Sequence, residues 1–173
     1  MHAQRIMIFG RPGSGKSTFA HDLAQRLELP LFHIDKFFYL SNWEERPHDE
    51  FVALLQAAVD QERWVIDGNA LQTLEMRFKR ADIVLYFCYP PLHSLFRVVK
   101  RLFYKDKRIQ DRADGCKELF GWKFIKYIWT FEDRVRELLE QLRRDYPTVV
   151  VIKITNDREA AAVYKSLTSE NFK

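Results

Sequence analysis

The spacing of hydrophobic residues along the 173-residue chain alternates between short continuous runs and helical periodicity. Short apolar runs bounded by turn residues indicate buried strands, and apolar residues three and four apart indicate one face of a helix. The pattern predicts five strands, at residues 5–9, 31–34, 64–66, 82–87 and 148–154. It predicts helices at 16–27, about 47–59, a short one through Met76 and Phe78, about 92–104, a long one containing 128–142, and 159–167. Strands alternating with helices predict a parallel sheet covered on both faces.

A glycine-rich loop joins the first strand to the first helix. Residues 10–17 read Gly-Arg-Pro-Gly-Ser-Gly-Lys-Ser and fit the pattern G-x-x-x-x-G-K-[ST], the Walker A phosphate-binding loop or P-loop. The strand before it and the helix after it are the context that this motif requires. The loop therefore predicts ATP and Mg²⁺ as ligands, and the alternative is a glycine-rich turn that binds nothing.

The residues of this loop have distinct expected roles. Glycines allow the backbone N–H groups to point inward at the phosphates, and the helix adds its positive N-terminal end. Lys16 is expected to reach the β- and γ-phosphates, Ser17 to contact Mg²⁺ through its hydroxyl, and Thr18 to touch the α-phosphate. The other predicted nucleotide-binding positions of the loop are Gly10, Gly13, Ser14 and Gly15.

Polar residues directly follow three of the other predicted strands, at the edge where parallel α/β sheets bind ligands. Asp35 could hold a water on Mg²⁺ or accept the proton of an attacking hydroxyl, or it could cap a helical turn. Asp67 follows an apolar strand, as a Walker B acid does, and could orient Mg²⁺ directly or through water, or serve only in a turn. Asn156 could border the adenine, or cap the last helix together with Glu159.

Seven cations fall within the sixteen residues from 97 to 112. A charge run is usually a solvated helix face, but this one leads into a polar loop, and residues 97–118 are predicted to form a lid over the phosphates. The expected catalytic cations of the lid are Arg97, Arg101, Arg108 and Arg112. Nucleic-acid binding by the same segment is the less favoured alternative, because a net charge of +4 and a pI of about 9.1 are only mildly basic.

The bulk properties of the chain add few constraints. Its length predicts one domain over residues 1–173, acting as a monomer or homodimer. The two cysteines, Cys88 and Cys116, provide no disulfide framework. Because no signal-like or membrane-spanning run is found, a cytoplasmic protein without a membrane partner is expected. Trp122 and Trp129 are predicted to lie in the core, whereas Trp43 could either stack on an acceptor ring or pack in the core.

With these residues in place, the chain resembles the P-loop kinases of the adenylate kinase and shikimate kinase type. More narrowly, it resembles adenylate-kinase-like bacterial proteins called DNA topology modulation proteins. The matching segments are GRPGSGKST, LFHIDKFFYLSNWEERPHDEF, WVIDGN, ADIVLYFCYPP, RADGCKELF and FIKYIW. The resemblance implies a three-layer α/β/α P-loop NTPase fold, with a five-stranded parallel sheet in the order 2-3-1-4-5 and a helical lid insertion. It also implies ATP as donor and a small acceptor near Asp35.

The implied function is an ATP-dependent phosphotransferase acting on a small nucleoside, nucleotide or hydroxylated metabolite. The alternative is a nucleotide-binding regulatory protein that affects DNA topology with weak ATPase activity. Nucleoside monophosphate kinases usually carry an arginine soon after the Asp-Gly of the third strand. Here Asp67-Gly68 is followed by Asn69-Ala70-Leu71, and the next arginine is Arg77. This departure weighs against a monophosphate as the acceptor.

Overall fold

A five-stranded parallel sheet forms the centre of the protein in the computed structural model, which describes residues 3–103 and 121–169. The strands are β1 Arg5–Gly10, β2 Leu31–His33, β3 Trp64–Asp67, β4 Ile83–Phe87 and β5 Val150–Ile154. Their spatial order is β2-β3-β1-β4-β5, and each adjacent pair is parallel. The predicted strands and the sheet order implied by the resemblance are therefore confirmed.

Helices cover both faces of this sheet. They are α1 Lys16–Leu27, α2 Ile34–Phe38, α3 His48–Val59, α4 Leu74–Phe78, α5 Pro91–Phe103, α6 Trp122–Asp145 and α7 Asp157–Thr168. Two 3₁₀ turns, Ser41–Trp43 and Leu71–Thr73, lie in the connections. One core cluster joins the sheet to α1 and α7, and the other joins it to α3, α4 and α6. The described residues thus form the three-layer arrangement expected from the sequence.

The central strand β1 divides its side chains between these two cores. Residues 6–9 are fully buried, because strands on both sides and helices on both faces exclude water. Side chains alternate along a strand, so Ile6 and Ile8 pack toward α1 and α7, whereas Met7 and Phe9 pack toward α3, α4 and α6. This two-sided burial explains why the strand is a continuous apolar run rather than an alternating one.

The strand register aligns the polar residues at the carboxyl edge of the sheet. Asp67 at the end of β3 pairs with Ile8 of β1 on one side and with His33 of β2 on the other. Gly10, the first residue of the phosphate-binding loop, pairs with Phe87 at the end of β4. The loop, the acid of β3 and the histidine of β2 are therefore brought together by backbone pairing.

Helix α6 differs from the prediction in one respect. The prediction that Trp122 and Trp129 lie in the core is wrong, because their side chains are 78% and 55% exposed. The buried stripe of α6 includes Ile128 and Phe131, and each residue along a helix turns by about 100°. Trp129 follows Ile128 directly and so lies beside the stripe. No helix among the residues described is both long and apolar enough to cross a membrane.

Asp82, just before β4, fixes the start of β1. Its Oδ2 accepts hydrogen bonds from the backbone N–H groups of Gln4 and Arg5, each at 2.9 Å, and its Oδ1 accepts one from the Arg5 guanidinium at 2.6 Å. Burial acts to raise the pKa of Asp82, but these hydrogen bonds and the Arg5 charge lower it below the ordinary 3.8. The ionised carboxylate therefore stabilises the fold.

Replacing this carboxylate by an amide should weaken the fold in a pH-dependent way. For Asp82→Asn we expect a loss of about 1–2 kcal/mol in the free energy of unfolding near pH 7, the scale of hydrogen bonds to a partly exposed charged group. Because the folded pKa is depressed, the stabilisation is complete well above pH 3.8 and declines as the pH falls through and below that value. Urea unfolding of both proteins from pH 7 to pH 3 measures the difference, and equal stability at pH 7 would contradict the assignment.

Candidate active site

Within the phosphate-binding loop, residues 10–17, the backbone requires glycine at two positions in particular. Gly10 and Gly13 have φ angles of +146° and +79°. A Cβ on Gly10 would lie 2.2 Å from the Phe87 carbonyl oxygen, and one on Gly13 would lie 2.4 Å from the Ser94 carbonyl oxygen. Both contacts are with backbone atoms, so a side chain would displace the loop from β4 and α5. The predicted loop geometry thus depends on its packing as well as on its φ angles.

Two side chains from outside the loop hold its backbone. The N–H of Gly10 donates to Oδ1 of Asn69 at 3.0 Å, which ties the start of the loop to the segment after β3. The guanidinium of Arg97, on α5, donates to the carbonyl of Ser14 at 3.0 Å. The loop is therefore fixed at both ends by contacts within the protein itself.

A third contact comes from the loop itself, through Arg11. Its guanidinium is almost completely buried and donates to the backbone carbonyls of Ile128 and Trp129, within α6. It also forms an ion pair with Glu132, at 3.5 Å. Arg11 occupies a variable position of the motif, so the sequence pattern gave no signal for this role. The contact connects the phosphate-binding loop directly to the long helix.

Arg97 pairs with an acid of α7 in this structure. Its Nη2 lies 2.7 and 2.6 Å from the two carboxylate oxygens of Asp157, and its guanidinium lies 5.3 Å from the ring centre of Tyr89. Arg97 and Arg101 both lie on α5. Arg101 also lines the cavity described below. Arg108 and Arg112, like residues 104–118 of the predicted lid, lie outside the described residues. Phosphate contacts by these arginines stay predictions.

Asp67 provides a buried carboxylate beside the loop. It is 3% exposed, and its Oδ2 lies 3.2 Å from Nδ1 of His33. Burial by itself would raise the pKa of Asp67, but the hydrogen bond with His33, the charge of Lys16 and the nearby Ser17 hydroxyl lower it below the ordinary value. The carboxylate is therefore ionised at neutral pH.

The second oxygen of Asp67 suits a cation. In the part of the chain that the structure describes, Oδ1 is buried and has no hydrogen-bond partner. A buried acceptor without a partner is costly, and a magnesium ion or its bound water would satisfy it. A serine hydroxyl and a carboxylate are the hard oxygen donors that Mg²⁺ prefers. Ser17 and Asp67 thus fit the metal expected from the sequence.

From the sequence His33 is expected to be a structural residue of the second strand, and its contact with Asp67 was not predicted. The structure places its ring against Asp67, in a buried position at the end of β2. The strand order was the signal that could have identified it, because β2 and β3 are neighbours and their last residues, His33 and Asp67, face each other in the register. A histidine ending one parallel strand beside an acid ending the next is expected to contact that acid.

Arg77, the first arginine after β3, is fully buried and contacts the loop that follows the strand. It donates to the carbonyls of Gly68 at 3.0 Å, Ala70 at 2.9 Å and Thr73 at 3.4 Å. Burial lowers the pKa of its guanidinium to about 9, and the charge of Asp67 opposes that change, so Arg77 stays protonated at neutral pH. Its donors are directed at backbone carbonyls.

A cavity of about 480 Å³ extends from the phosphate-binding loop. Lys16, Ser17, Asp35 and Asp67 line it together. Asp35 lies within the first turn of α2 and does not cap it, because the capping position is His33. Six aromatic side chains form much of the cavity wall: Phe38, Tyr39, Trp43, Phe51, Phe124 and Tyr127. Its volume falls in the range of about 300–1,000 Å³ that is typical of small-molecule sites.

Asn156 is a helix cap in this structure. Its Oδ1 accepts from the N–H of Glu159 at 3.0 Å, and the Glu159 carboxylate accepts from the N–H of Thr155 at 2.7 Å. The hydrogen bond from Glu159 confirms the capping alternative at the start of α7. Thr18, in the first turn of α1, is exposed. Contacts of Asn156 with adenine and of Thr18 with the α-phosphate stay predictions.

Comparison with known proteins supports the same fold. The family described as "ATPase family associated with various cellular activities (AAA)" matches residues 6–67. A gluconokinase from Sinorhizobium meliloti 1021 is 16% identical, with a TM-score of 0.56 over 96% of this chain and 94% of its own. A shikimate kinase from Acinetobacter baumannii, in complex with shikimate, is 19% identical, with a TM-score of 0.57 over 99% and 96%. No curated protein matches the chain.

These likenesses define the class of fold. The parallel sheet, its order and the loop after β1 are those of the P-loop kinases. At identities of 16% and 19% the two kinases establish the fold alone. The narrower resemblance to DNA topology modulation proteins is not confirmed by these comparisons.

Removing the buried Arg77 guanidinium should destabilise the site and the fold together. For Arg77→Met we expect a loss of about 3 kcal/mol in the free energy of unfolding, because the carbonyls of Gly68 and Ala70 lose their donors in a buried position. Urea unfolding measures this, with Arg63→Met as an exposed control that should change by less than about 0.5 kcal/mol. A small, equal effect in both variants would contradict the role assigned to Arg77.

Proposed function

We propose that this protein is an ATP- and Mg²⁺-dependent phosphotransferase whose acceptor is a small molecule bearing a hydroxyl group. The observation that carries the proposal is the shared cavity. Lys16 and Ser17 of the phosphate-binding loop line the same space as the carboxylates of Asp35 and Asp67. The space beside the phosphate-binding residues therefore reaches a second acid, Asp35, where an acceptor hydroxyl would lie next to the γ-phosphate.

The donor side of the reaction falls to the loop. Its backbone N–H groups, the ammonium of Lys16 and the N-terminus of α1 provide positive charge for the β- and γ-phosphates. Phosphoryl transfer requires little covalent chemistry from a protein, and catalysis comes mainly from positioning and from charge stabilisation. The contacts of Gly10 with Asn69 and of Ser14 with Arg97 hold the loop backbone through groups of the protein itself.

Ser17 and Asp67 are the residues that would hold Mg²⁺, either directly or through its waters. The ion would neutralise negative charge on the phosphoryl group that is transferred. The ionised, buried state of Asp67 suits this role, because its unpartnered Oδ1 gains a partner when the metal is bound.

Asp35 serves the acceptor. In the proposed step the acceptor oxygen forms a bond to the γ-phosphorus, the bond from that phosphorus to the β–γ bridging oxygen breaks, and ADP leaves with that oxygen. The hydroxyl proton passes to the carboxylate of Asp35 or to solvent. Asp35 is half-buried in the cavity wall and so can orient the hydroxyl without the high cost of full burial.

The direct test is acceptor-dependent ADP formation. The purified protein is incubated with ATP and Mg²⁺ and with a panel of nucleosides, nucleoside monophosphates and hydroxylated acids. The last class is included because the two similar structures are named as a gluconokinase and a shikimate kinase. ADP formation that rises with one acceptor, together with a phosphorylated product of matching mass, supports the proposal. ADP formation that no acceptor changes would contradict it.

Loss of the Lys16 ammonium should remove a large part of the rate. For Lys16→Ala we expect kcat/KM to fall by a factor of at least about 100, corresponding to about 3 kcal/mol of transition-state stabilisation, by analogy with the loss of one oxyanion donor. Lys79→Ala, an exposed lysine at the end of α4, is the matched control and should keep the original rate. Near-original turnover by Lys16→Ala would rule out this mechanism.

Neutralising Asp35 should separate binding from transfer. For Asp35→Asn we expect the affinity for an ATP analogue to stay within about twofold, whereas the transfer rate falls by about 10²–10⁴, the range for loss of a general base. The neighbouring exposed Lys36→Ala is the control. Isothermal titration measures the affinity for the ATP analogue, and single-turnover kinetics measures the transfer rate. An unchanged transfer rate would show that Asp35 has only a structural role in α2.

A further inference from the structure

Arg11 makes contacts in three directions from the phosphate-binding loop. Its backbone N–H donates to the carbonyl of Phe87, at the end of β4, at 2.8 Å, and its own carbonyl accepts from the N–H of Ser14 at 3.2 Å. Its side chain leaves the loop and reaches α6, where the guanidinium donates to the carbonyls of Ile128 and Trp129. A single residue therefore joins the sheet, the loop and the long helix.

The burial of the Arg11 side chain makes this contact specific. The residue is 2% exposed, and removing an unpaired guanidinium from water is strongly unfavourable. The two carbonyls of α6 compensate that cost, together with the carboxylate of Glu132, whose Oε2 lies 3.5 Å from Nη2 of Arg11. A displaced guanidinium would lose these partners while it is still buried. The loop and α6 are therefore favoured in one relative position.

Glu132 is ionised and so keeps its attraction for Arg11. Burial acts to raise the pKa of its carboxyl, but the hydrogen bond from Lys153 at 3.1 Å and the charges of Lys153 and Arg11 lower it below the ordinary 4.5. Lys153 belongs to β5, at one edge of the sheet. The charged contacts thus extend from the loop across α6 to the edge strand.

The same part of α6 forms a wall of the cavity. Phe124 and Tyr127 line the cavity, and we call this pair the α6 wall. The two residues are three positions apart and therefore lie on one side of the helix. Because a helix rises about 1.5 Å per residue, Tyr127 lies within about 3 Å of Trp129 along the helix axis. The carbonyls that accept from Arg11 and the α6 wall therefore belong to neighbouring turns of one helix.

The α6 wall lies outside the buried part of its helix. None of residues 122–127 is buried, and Ile128 is the first buried residue of α6. The buried stripe continues from there into the core, through Phe131 and Val135. Segments with few buried contacts open locally at a lower free energy than the core does. Arg11 thus contacts α6 at the point where the helix passes from the packed core to the cavity wall.

From this geometry we propose that Arg11 is a positioning residue that couples nucleotide on the phosphate-binding loop to the position of the α6 wall. The inference rests on the proposed phosphotransferase function, in which the cavity holds the acceptor beside that wall. A nucleotide that holds the loop also holds Arg11, and Arg11 holds the two carbonyls of α6. The donor thereby completes the acceptor side of the cavity. By linkage, weakening the contact from the α6 side lowers the affinity of the loop for nucleotide.

Hydrogen exchange of the α6 backbone tests this coupling. The full chain with Mg²⁺, with or without a saturating non-hydrolysable ATP analogue, is followed by mass spectrometry of peptides that cover residues 122–132. In the wild-type protein we expect the analogue to slow exchange there by at least about fivefold, the lower end of typical coupling between two sites. In Arg11→Met the loop peptide should still respond, whereas the change at 122–132 falls below about twofold. Peptides of α3 serve as the reference for a change in global stability.

Two outcomes of the exchange experiment would overturn the inference. One is a wild-type α6 that does not respond to the analogue, and the other is a response that Arg11→Met keeps. Arg136→Met removes an exposed guanidinium from the same helix and is the matched control, so its response should equal that of the wild type. An equal loss of the response in Arg136→Met would also overturn the specific role of Arg11.

A second measurement approaches the contact from α6 and leaves Arg11 in place. Isothermal titration gives the affinity for the same analogue in Glu132→Gln, in Arg11→Met and in the double variant. We expect Glu132→Gln to weaken the affinity by about two- to fivefold when Arg11 is present and to leave it unchanged in the Arg11→Met background, because both substitutions break one contact. Glu140→Gln, which changes an exposed acid of the same helix, is the matched control.

The titration overturns the inference if Glu132→Gln has the same effect in both backgrounds, or none in either. If Arg11→Met does not fold, the exchange response of Glu132→Gln takes its place. That response should be smaller than in the wild type, and an unchanged response would overturn the inference.

Neither measurement depends on turnover, so the two proposals can fail separately. If no acceptor raises ADP formation but the response of α6 requires Arg11, the phosphotransferase function fails and the positioning role stands. If an acceptor is phosphorylated but α6 does not respond to the analogue, the function stands and the positioning role is wrong.

Discussion

The burial of the Asp67 carboxylate is the interaction on which the rest of the site depends. An ionised acid with 3% exposure is tolerable only when other groups compensate its charge. His33 does so from the neighbouring strand, Lys16 and Ser17 from the phosphate-binding loop, and Arg77 from below the sheet edge. These contacts come from three separate parts of the chain and Asp67 itself from a fourth, so the buried charge also fixes the relative positions of β2, β3, the loop and α4.

The cavity next to this acid has two ends of opposite character. The end at the loop is rich in backbone N–H groups and contains Lys16, whereas the described lining of the other end is aromatic and acidic. Electrostatic attraction can recruit any triphosphate to the first end. At the second end the aromatic side chains add shape and ring contacts, which are less sensitive to salt than charge pairs are.

The sequence was sufficient for the strands, for the loop and for every described helix except α2, because each of these has a local periodicity or motif, whereas α2 is only five residues long. The sheet order came from resemblance to known kinases. The contacts of Arg11 and His33 could not be found locally, since their partners lie 117 and 34 residues away. The sequence identified Arg77 only as the first arginine after Asp67-Gly68, and it did not predict the contacts of Arg77 with backbone carbonyls. Trp122 and Trp129 were assigned wrongly because aromatic character suggested burial, whereas helix phase determines which side chains face the core.

Arg11 forms a long-range contact that a comparison of the side chains on α6 among related proteins would not reveal. Its acceptors are the backbone carbonyls of Ile128 and Trp129, which every amino acid supplies, so substitutions on α6 leave the acceptors themselves in place. What matters is the phase of the helix. One residue inserted or deleted between the start of α6 and Ile128 would rotate the carbonyls by about 100° relative to the preceding chain. The link between the phosphate-binding loop and α6 is thus constrained by the number of residues in the helix, and relatives that keep this link are expected to conserve spacing more strictly than identity.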